Sequence, residues 1–476
     1  MRDALHLRPG KREGHHPARQ SFRRGRHAGI ERLPGKQGGN QMTQGEKLKV
    51  YRGARLVGEL DMSDGESFYG FTYAESYLGD PTALPLSASL PLSGRRFLGP
   101  LALPFFEGLL PEGDARSAVA RQFHASSNNP AQLLRLLGRD CAGDVMVVEE
   151  GDPAQPPAHD RYLRLPNGLE GIARDPLREI AGLRAEYRLS LAGAQEKIAL
   201  YHDDREPLED GWYIPLDGSP SSHIVKPQTS DRFPHLALNE YLCMKAASLL
   251  GIETAEVFLL SAAHPLLVVE RFDRKATESR TAEGLRVIER VHQEDVCQAL
   301  GYRSDEKYES LSSAYVPEAV NLLVSYAERP AEALRKLHGL MLFNYLIGNC
   351  DAHLKNYSLT WTGAASVSLA PAYDLVSTAV YDGRFGAKLS RSMGLRVGEH
   401  LNIDKVNASD FELLAKELRQ PVRQAAVECA RLREGLPDAL RRAAEQAASS
   451  GFGEEAGALA DRILFGAKVR MRTFDR

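Results

Sequence analysis

The sequence contains few cysteines and no long apolar segment. Its five cysteines lie far apart along 476 residues, and none belongs to a Cys-x-x-Cys pair. This pattern excludes a disulfide framework and a cysteine-based zinc site. No run approaches the roughly 18 consecutive apolar residues of a membrane-spanning helix. We therefore expect a protein of the reducing cytoplasm that does not contact a membrane.

The first 41 residues differ in composition from the rest of the chain. They contain ten Lys or Arg and only three Asp or Glu, although the whole chain has a formal net charge of −3. They also lack the apolar stretch of a secretory signal and the apolar content of a packed domain. We predict that residues 1–44 form a disordered basic extension. A start codon assigned too early, with translation in fact beginning at Met42, would produce the same change in composition. A basic arm that contacts nucleic acid is the alternative.

A small mixed domain is predicted after this extension. The segments Leu48–Tyr51 and Arg55–Leu60 are short, largely apolar runs around an Arg-Gly pair, as in a β-hairpin, and Phe68–Tyr73 has the pattern of a third strand. Helical patterns and one further strand follow, before a proline-containing linker at residues 151–160. Residues 45–150 are thus predicted to form an α+β subdomain.

A loop near residue 350 carries the clearest chemical signature. Apolar residues recur every three or four positions up to Ile347, as on a buried helix, and Gly348 is a stop signal. Asp351 and Asn356 then stand five positions apart, the interval between the base and the metal-binding amide of a protein-kinase loop. Asp374 follows an apolar run and supplies a second carboxylate. Two acids and an amide suit Mg²⁺, whereas capping of turns and helices is the alternative use of such residues.

The region before this loop contains further candidates for phosphate binding. Small residues in Ser190–Lys197 would let backbone amides approach a phosphate, although a plain hairpin turn fits the pattern equally well. Lys226 ends a β-branched run, as does the strand lysine that contacts nucleotide phosphates in kinases. Glu240, near the start of the next helix, is either the partner of Lys226 or a solvated surface residue. The apolar run that ends at Glu270 predicts a strand leading into a hinge between two lobes.

Helical patterns dominate the sequence after the hinge. Together with the strand-rich part before it, they predict an α+β protein with a two-lobed, kinase-like fold. The small α+β subdomain would precede a mixed α/β amino-terminal lobe at residues 151–275. Residues 276–476 would form an all-helical carboxy-terminal lobe that carries the catalytic loop.

Four motifs in this order resemble those of the HipA family of serine/threonine kinase toxins from bacterial toxin–antitoxin modules. The resemblance extends from about Leu48 to the C-terminus and excludes the basic extension. It implies a fold distantly related to eukaryotic protein kinases and phosphoinositide kinases. The motifs are Ser190-Leu-Ala-Gly-Ala-Gln-Glu-Lys197, Val268-Val-Glu-Arg-Phe-Asp-Arg274, Gly348-Asn-Cys-Asp-Ala-His-Leu-Lys-Asn356 and Ala372-Tyr-Asp-Leu-Val-Ser377.

The resemblance also implies roles for individual residues. Asp351 would orient and deprotonate the acceptor hydroxyl, and Asn356 and Asp374 would hold Mg²⁺. Ser190 would be the autophosphorylated serine, and its phosphate, with about −1.5 to −2 charges, would repel the phosphates of ATP. The ATP-binding residues would be Ala192, Gly193, Ala194, Lys226, Glu270, Phe272 through its backbone, His353 and Tyr373.

For the whole protein, the resemblance implies an ATP- and Mg²⁺-dependent serine/threonine protein kinase that acts as a toxin. Its acceptor would be a component of translation, such as an aminoacyl-tRNA synthetase. Autophosphorylation and a small helix-turn-helix antitoxin of the HipB kind would inactivate it, and the antitoxin would link it to DNA. Two alternatives stay open, namely a catalytically weak corepressor subunit of an antitoxin–DNA complex and a small-molecule or lipid kinase.

Overall fold

The computed structural model describes residues 47–62, 68–150, 160–187, 193, 195–229, 232–363, 366–381 and 389–475. The predicted basic extension lies outside these ranges, as does nearly all of the predicted linker. Within the described ranges, no helix has both the length and the apolar character needed to cross a membrane. All five cysteines are buried free thiols.

An antiparallel sheet with short helices forms the first described region, which we call the amino-terminal subdomain (residues 47–149). Its elements are β1 (Lys47–Arg52), β2 (Arg55–Met62), β3 (Phe68–Tyr73), α1 (Glu75–Leu78), β4 (Arg96–Leu98), α2 (Gly99–Gly108), α3 (Gly113–Gln122), α4 (Pro130–Leu137) and β5 (Val145–Glu149). The sheet order is β4-β3-β2-β1-β5. β1 and β2 form the predicted hairpin, and Gly53 supplies the positive φ of +54° at its turn. Leu48, Val50 and Leu60 are fully buried, in one apolar core with residues of α2 and α4.

A second antiparallel sheet, of six strands, follows. Its elements and flanking helices are β6 (Arg161–Arg164), α5 (Gly168–Arg174), α6 (Pro176–Tyr187), β7 (Ile198–His202), β8 (Trp212–Leu216), β9 (His223–Pro227), α7 (Leu236–Leu249), β10 (Val257–Leu260) and β11 (Leu266–Glu270). The order is β10-β11-β9-β7-β8-β6. Lys226 lies in β9, near its end, and pairs with Leu267 of β11 in the centre of the sheet. The buried helix α7 packs against β10 and β11, so it can face Lys226.

The rest of the chain is mainly helical but includes short strands. The elements are β12 (Arg274–Arg280), β13 (Arg286–Arg290), β14 (Gln293–Asp295), α8 (Val296–Ala299), α9 (Tyr315–Tyr326), α10 (Pro330–Ile347), β15 (Ser358–Gly363), β16 (Ser366–Leu369), β17 (Ser392–Val397), β18 (His400–Asn402), α11 (Ala408–Glu417), α12 (Val422–Ser449) and α13 (Gly453–Met471). Single 3₁₀ turns occur at Ser304–Glu306, Leu354–Asn356, Thr378–Tyr381, Ile403–Lys405 and Arg472–Asp475.

The α+β class with a two-lobed, kinase-like arrangement is confirmed, but the expectation of an all-helical carboxy-terminal lobe is wrong. A three-stranded sheet, β14-β15-β16, flanks the catalytic loop, and β12-β13 and β17-β18 form two hairpins. These strands have three to seven residues each, and several carry buried polar side chains in place of an apolar alternation. Such strands show no period that would distinguish them from loops.

Glu294 joins the amino-terminal subdomain to the second half of the chain. Its carboxylate is fully buried and accepts hydrogen bonds from the Ser87 hydroxyl (2.5 Å) and the Ala88 N–H (3.0 Å) of the subdomain. The Trp361 indole N–H donates to the same carboxylate at 3.0 Å. Burial raises the pKa of Glu294 to about 8.

This buried carboxyl makes stability depend on pH. The folded state retains a proton that the unfolded state has already released, so the stabilisation is complete below the ordinary pKa of 4.5 and is lost as pH rises to about 8. The free energy of unfolding should fall by roughly 1.4 kcal/mol per pH unit in this window. Glu294→Gln should remove that slope in urea unfolding between pH 5 and pH 8, whereas the exposed Glu289→Gln should retain it. Equal slopes in wild type and Glu294→Gln would contradict the assignment.

Candidate active site

The loop after α10 holds Asp351 next to a buried helix end. Gly348 has a left-handed φ of +73°, and a Cβ there would lie 2.7 Å from the Ala379 side chain, so glycine ends the helix as predicted. The Asn349 side chain then fixes the loop. Its amide donates to Oδ1 of Asn344 (2.9 Å), and its carbonyl accepts from the Asp351 N–H (3.0 Å).

Tyr308 and His353 border the Asp351 carboxylate. The Tyr308 hydroxyl donates to Oδ1 of Asp351 at 2.6 Å. The His353 ring stands edge-to-face against Tyr308, with ring centroids 4.9 Å apart. Burial, aided by the positive charge of Lys307, lowers the pKa of His353 to about 4. His353 is therefore a neutral polar group at the cavity wall near pH 7.

Lys226 forms ion pairs with carboxylates from two different regions. Its Nζ lies 2.6 Å from Oε1 of Glu240 and 3.0 Å from Oδ1 of Asp374. Glu240 is only 1% exposed, so it is the partner of Lys226 and not a solvated surface residue. Although burial favours a neutral acid, the charge of Lys226 holds the pKa of Asp374 below its usual range. Asp374 is thus a carboxylate at neutral pH.

Asn356 and Asp374 lie side by side. The Asn356 amide nitrogen is 3.4 Å from Oδ2 of Asp374. Asp374 has a φ of +58°, a conformation that is uncommon outside glycine and clusters at functional sites. Mg²⁺ is usually held by one or two protein carboxylates together with substrate phosphates. The oxygen donors of Asn356 and Asp374 fit that requirement, although no cluster of three or more His, Cys, Asp or Glu suited to a metal occurs in the described residues.

The predicted hinge residues reach the same place. Glu270 ends β11, and Phe272 follows it. The Phe272 ring stacks on Tyr373 with centroids 5.5 Å apart and planes inclined by 25°. The Tyr373 hydroxyl donates to the Lys355 carbonyl (2.7 Å) and shares a hydrogen bond with Ser358 (2.6 Å). The hinge is therefore linked to the backbone of the catalytic loop.

Only part of the predicted nucleotide loop is described. Gly193 has a φ of +108°, and its carbonyl accepts a hydrogen bond from the backbone of residue 112. Lys197, at the end of the motif, is partly buried, and its pKa is lowered to about 8 by desolvation and by the nearby charge of Lys226. Ser190, Ala192 and Ala194 lie outside the described residues, so their roles stay predictions.

Most of the groups described above line one cavity of about 190 Å³. Every predicted site residue that the structure describes lines it, although their individual roles remain predictions. Two lysines and three carboxylates of this set surround a space that would receive an anionic ligand beside a metal. The predicted residues that meet there are Gly193, Lys226, Glu270, Phe272, Asp351, His353, Asn356, Tyr373 and Asp374, together with Lys197 of the same loop motif.

Sequence reasoning gave no role to several charged residues of this cavity, among them Lys197, Lys355, Lys307 and Glu112. Lys197 and Lys355 stand inside the recognised motifs, so their motif positions were an available signal. No sequence signal marked Lys307 or Glu112, because the two residues are far apart in the sequence and meet only in the folded chain. Tyr308 was missed for the same reason.

Two family models match the chain in sequence order. A model described as the HipA N-terminal domain matches residues 48–148, which contain the first sheet and its helices. A model described as the HipA-like C-terminal domain matches residues 189–443. The second match includes the nucleotide-loop motif, the hinge and the catalytic loop.

Individual relatives agree with the family models. The "Putative kinase Y4mE" of Sinorhizobium fredii is 36% identical over 376 residues, which are 78% of this chain and 85% of the relative. The "Serine/threonine-protein kinase toxin HipA" of Shewanella oneidensis is 30% identical over 347 residues, or 70% of this chain and 76% of the relative.

A solved structure shares the fold. It is the complex of HipA, HipB and operator DNA from the Shewanella oneidensis MR-1 toxin–antitoxin system, and it matches with a TM-score of 0.69 and 22% identity. The match covers 90% of this chain and 99% of that chain, so the two structures share most of their architecture.

Proposed function

The chain belongs to the HipA family, and on this premise we propose that it is a serine/threonine protein kinase that acts as the toxin of a toxin–antitoxin module. The observation that carries the reaction is the convergence of Asp351, Asn356, Asp374 and Lys226 on one cavity. A decayed nucleotide-binding subunit typically lacks one of these groups. The name of the Shewanella oneidensis relative, a kinase toxin, supports the same assignment.

Phosphoryl transfer requires positioning and charge neutralisation more than covalent chemistry by the protein. Asp351, held by Tyr308, orients the acceptor hydroxyl and takes its proton as that oxygen bonds to the γ-phosphorus of ATP. The bond from this phosphorus to the β–γ bridging oxygen breaks at the same time, and ADP leaves. Lys226 and Lys197 contact the phosphates of ATP. Asn356 and Asp374 would hold Mg²⁺, whose positive charge would be available beside the phosphates.

The adenine end of ATP is assigned to the hinge. Glu270 and the backbone of Phe272 meet the base, and the Phe272–Tyr373 stack supplies an apolar wall. His353, neutral near pH 7, lines the phosphate pocket without adding charge. These assignments predict a nucleotide that spans the cavity from β11 to the catalytic loop.

Partners and acceptor are part of the proposal. A small helix-turn-helix antitoxin of the HipB kind would hold the protein and link it to DNA, and the support is the fold shared with the Shewanella oneidensis HipA, HipB and operator DNA complex. The acceptor would be a component of translation, such as an aminoacyl-tRNA synthetase. Co-purification of a small DNA-binding protein with the tagged chain from its own host would test the first point.

Labelled ATP tests the reaction and the acceptor together. Purified protein, [γ-³²P]ATP and Mg²⁺ are incubated with a host lysate, and the labelled species are identified by mass spectrometry. Phosphoserine or phosphothreonine on a protein of translation is the expected result. Label in a lipid or metabolite would favour a small-molecule kinase, and ATP binding without any transfer would favour the corepressor alternative.

We predict that autophosphorylation of Ser190 silences the kinase. Ser190→Asp should weaken ATP binding by at least about tenfold, because a fixed negative charge in the loop repels the phosphates of ATP. Isothermal titration calorimetry measures this, and Ser190→Asn is the neutral control of similar size. Equal affinities of the two variants would contradict the loop model.

Lys197 should make ATP affinity depend on pH. Its pKa of about 8 in the free protein means that its charge is lost as pH rises from 7 to 9. The dissociation constant for ATP should then increase by roughly tenfold across this window. Lys197→Met should bind ATP weakly with a flatter profile, whereas the exposed Lys275→Met should behave as wild type. A wild-type profile in Lys197→Met would exclude the phosphate contact.

A further inference from the structure

Glu112 brings a carboxylate from the amino-terminal subdomain into the active-site cavity. It lies between α2 and α3, is 6% exposed and lines the cavity. Nζ of Lys307 donates to its Oε2 at 2.6 Å, and Nζ of Lys355 lies 3.5 Å from its Oε1. Although burial favours the neutral acid, the charges of Lys355 and Lys307 lower the pKa of Glu112 to about 2. Glu112 is therefore ionised at neutral pH.

Each of the two lysines precedes a residue of the proposed catalytic machinery. Lys307 is followed by Tyr308, which holds the catalytic carboxylate, and Lys355 is followed by Asn356, a proposed metal ligand. The N–H of Leu354 also donates to the Lys307 carbonyl at 3.2 Å. The Glu112 carboxylate thus lies between the segment that holds the base and the segment proposed to hold the metal, and Asp295 at 2.8 Å is the second carboxylate beside Lys355.

The backbone at the same position contacts the nucleotide loop. The Glu112 N–H donates to the Gly193 carbonyl at 3.1 Å, and Pro111 pairs with Gly193 in a parallel bridge. The Lys355 ammonium additionally donates to the Gly108 carbonyl at 3.3 Å. The nucleotide loop, the segment around Lys307 and the catalytic loop therefore all contact one short segment of the subdomain, residues 108–112.

We propose that Glu112 is a positioning residue for phosphoryl transfer, through which the amino-terminal subdomain completes the active site. This inference rests on the proposed kinase function. The subdomain is then part of the catalytic unit. Because Gly193 pairs with the same segment, displacement of the nucleotide loop would also break the contact by which the subdomain holds that loop.

The test is the isosteric change Glu112→Gln, assayed with the intact protein, ATP and an acceptor identified in lysate. It keeps the shape and the backbone bond to Gly193 but removes the charge that pairs with Lys307 at 2.6 Å. It also removes the second anion beside Lys355, whose nearer partner, Asp295, stays at 2.8 Å. We expect kcat to fall by roughly 10–100-fold, the usual loss when a group that orients ligating residues is changed. KM for ATP should change by less than about threefold, because Lys226 and the hinge are untouched.

Glu107→Gln is the matched control. Glu107 is also 6% exposed and joins the subdomain to the rest of the chain through Arg303 (3.2 Å), besides its contact with Arg116 (2.9 Å). It does not line the cavity. Glu107→Gln should lower the melting temperature as much as Glu112→Gln but leave kcat within about twofold of wild type.

Hydrogen exchange provides a readout that needs no turnover. In Glu112→Gln, the amides of residues 305–309 and 352–357 should exchange faster than in the wild-type protein. In Glu107→Gln, the same amides should exchange at the wild-type rate. Unchanged kcat in Glu112→Gln, or parallel losses of kcat in both variants, would overturn the proposal, as would unchanged exchange. A wild-type protein that transfers no phosphate would refute the proposed function instead, and the exchange experiment would still decide the role of Glu112.

Discussion

Asp351→Asn should lower the rate of phosphoryl transfer by about 10²–10⁴-fold, the usual contribution of a general base. The amide keeps the size of the side chain, and its oxygen can still accept the Tyr308 hydrogen bond, so the loop should retain its geometry. ATP affinity should stay within about twofold, because Lys226, the hinge and the metal-binding pair are unchanged. A single-turnover assay with labelled ATP and calorimetry of ATP binding measure the two quantities separately.

The exposed Asp305→Asn is the control for this variant. It removes a carboxylate three residues before Tyr308, where the side chain is 77% exposed, and should leave the rate unchanged. Substantial transfer by Asp351→Asn would eliminate Asp351 as the base. A loss of ATP affinity equal to the loss of rate would show that Asp351 acts in binding rather than in the chemical step.

Lys226→Met should both inactivate and destabilise the protein. It removes the partner of Glu240, whose side chain is 1% exposed, and an uncompensated buried charge of this kind costs about 3–5 kcal/mol. ATP affinity and turnover should fall as well, because the phosphates lose a cation. Urea unfolding of the ligand-free protein and calorimetry measure the two effects.

A second substitution separates the structural from the catalytic role of Lys226. Lys226→Met with Glu240→Leu replaces the ion pair by apolar side chains, so most of the free energy of unfolding should return while activity should not. Lys245→Met, on the helix α7 that also carries Glu240, is the control. Its partner Glu256 is 54% exposed, so the expected loss of unfolding free energy is within about 1 kcal/mol. Recovery of turnover in the double variant would show that Lys226 acts only by stabilising the fold.

Much of the local structure could be predicted from the sequence because it depends on neighbouring residues. The hairpin at Gly53 and the helix stop at Gly348 both require a positive φ, which glycine adopts without strain. The spacing of Asp351 and Asn356 is a property of one short loop. The short strands β14, β15, β17 and β18 escaped prediction because three to six residues offer too few positions for a periodic signal.

The sequence by itself determined the residue types of the site, their spacing within each motif and the family to which the chain belongs. The tertiary structure alone decided that Glu240 faces Lys226, that Tyr308 holds Asp351, and that Glu112 reaches the catalytic loop. These contacts join segments up to about 240 residues apart, as for Glu112 and Lys355. Such contacts arise when helices and sheets pack, and no local period or spacing in the sequence records which distant side chains will share a buried cavity.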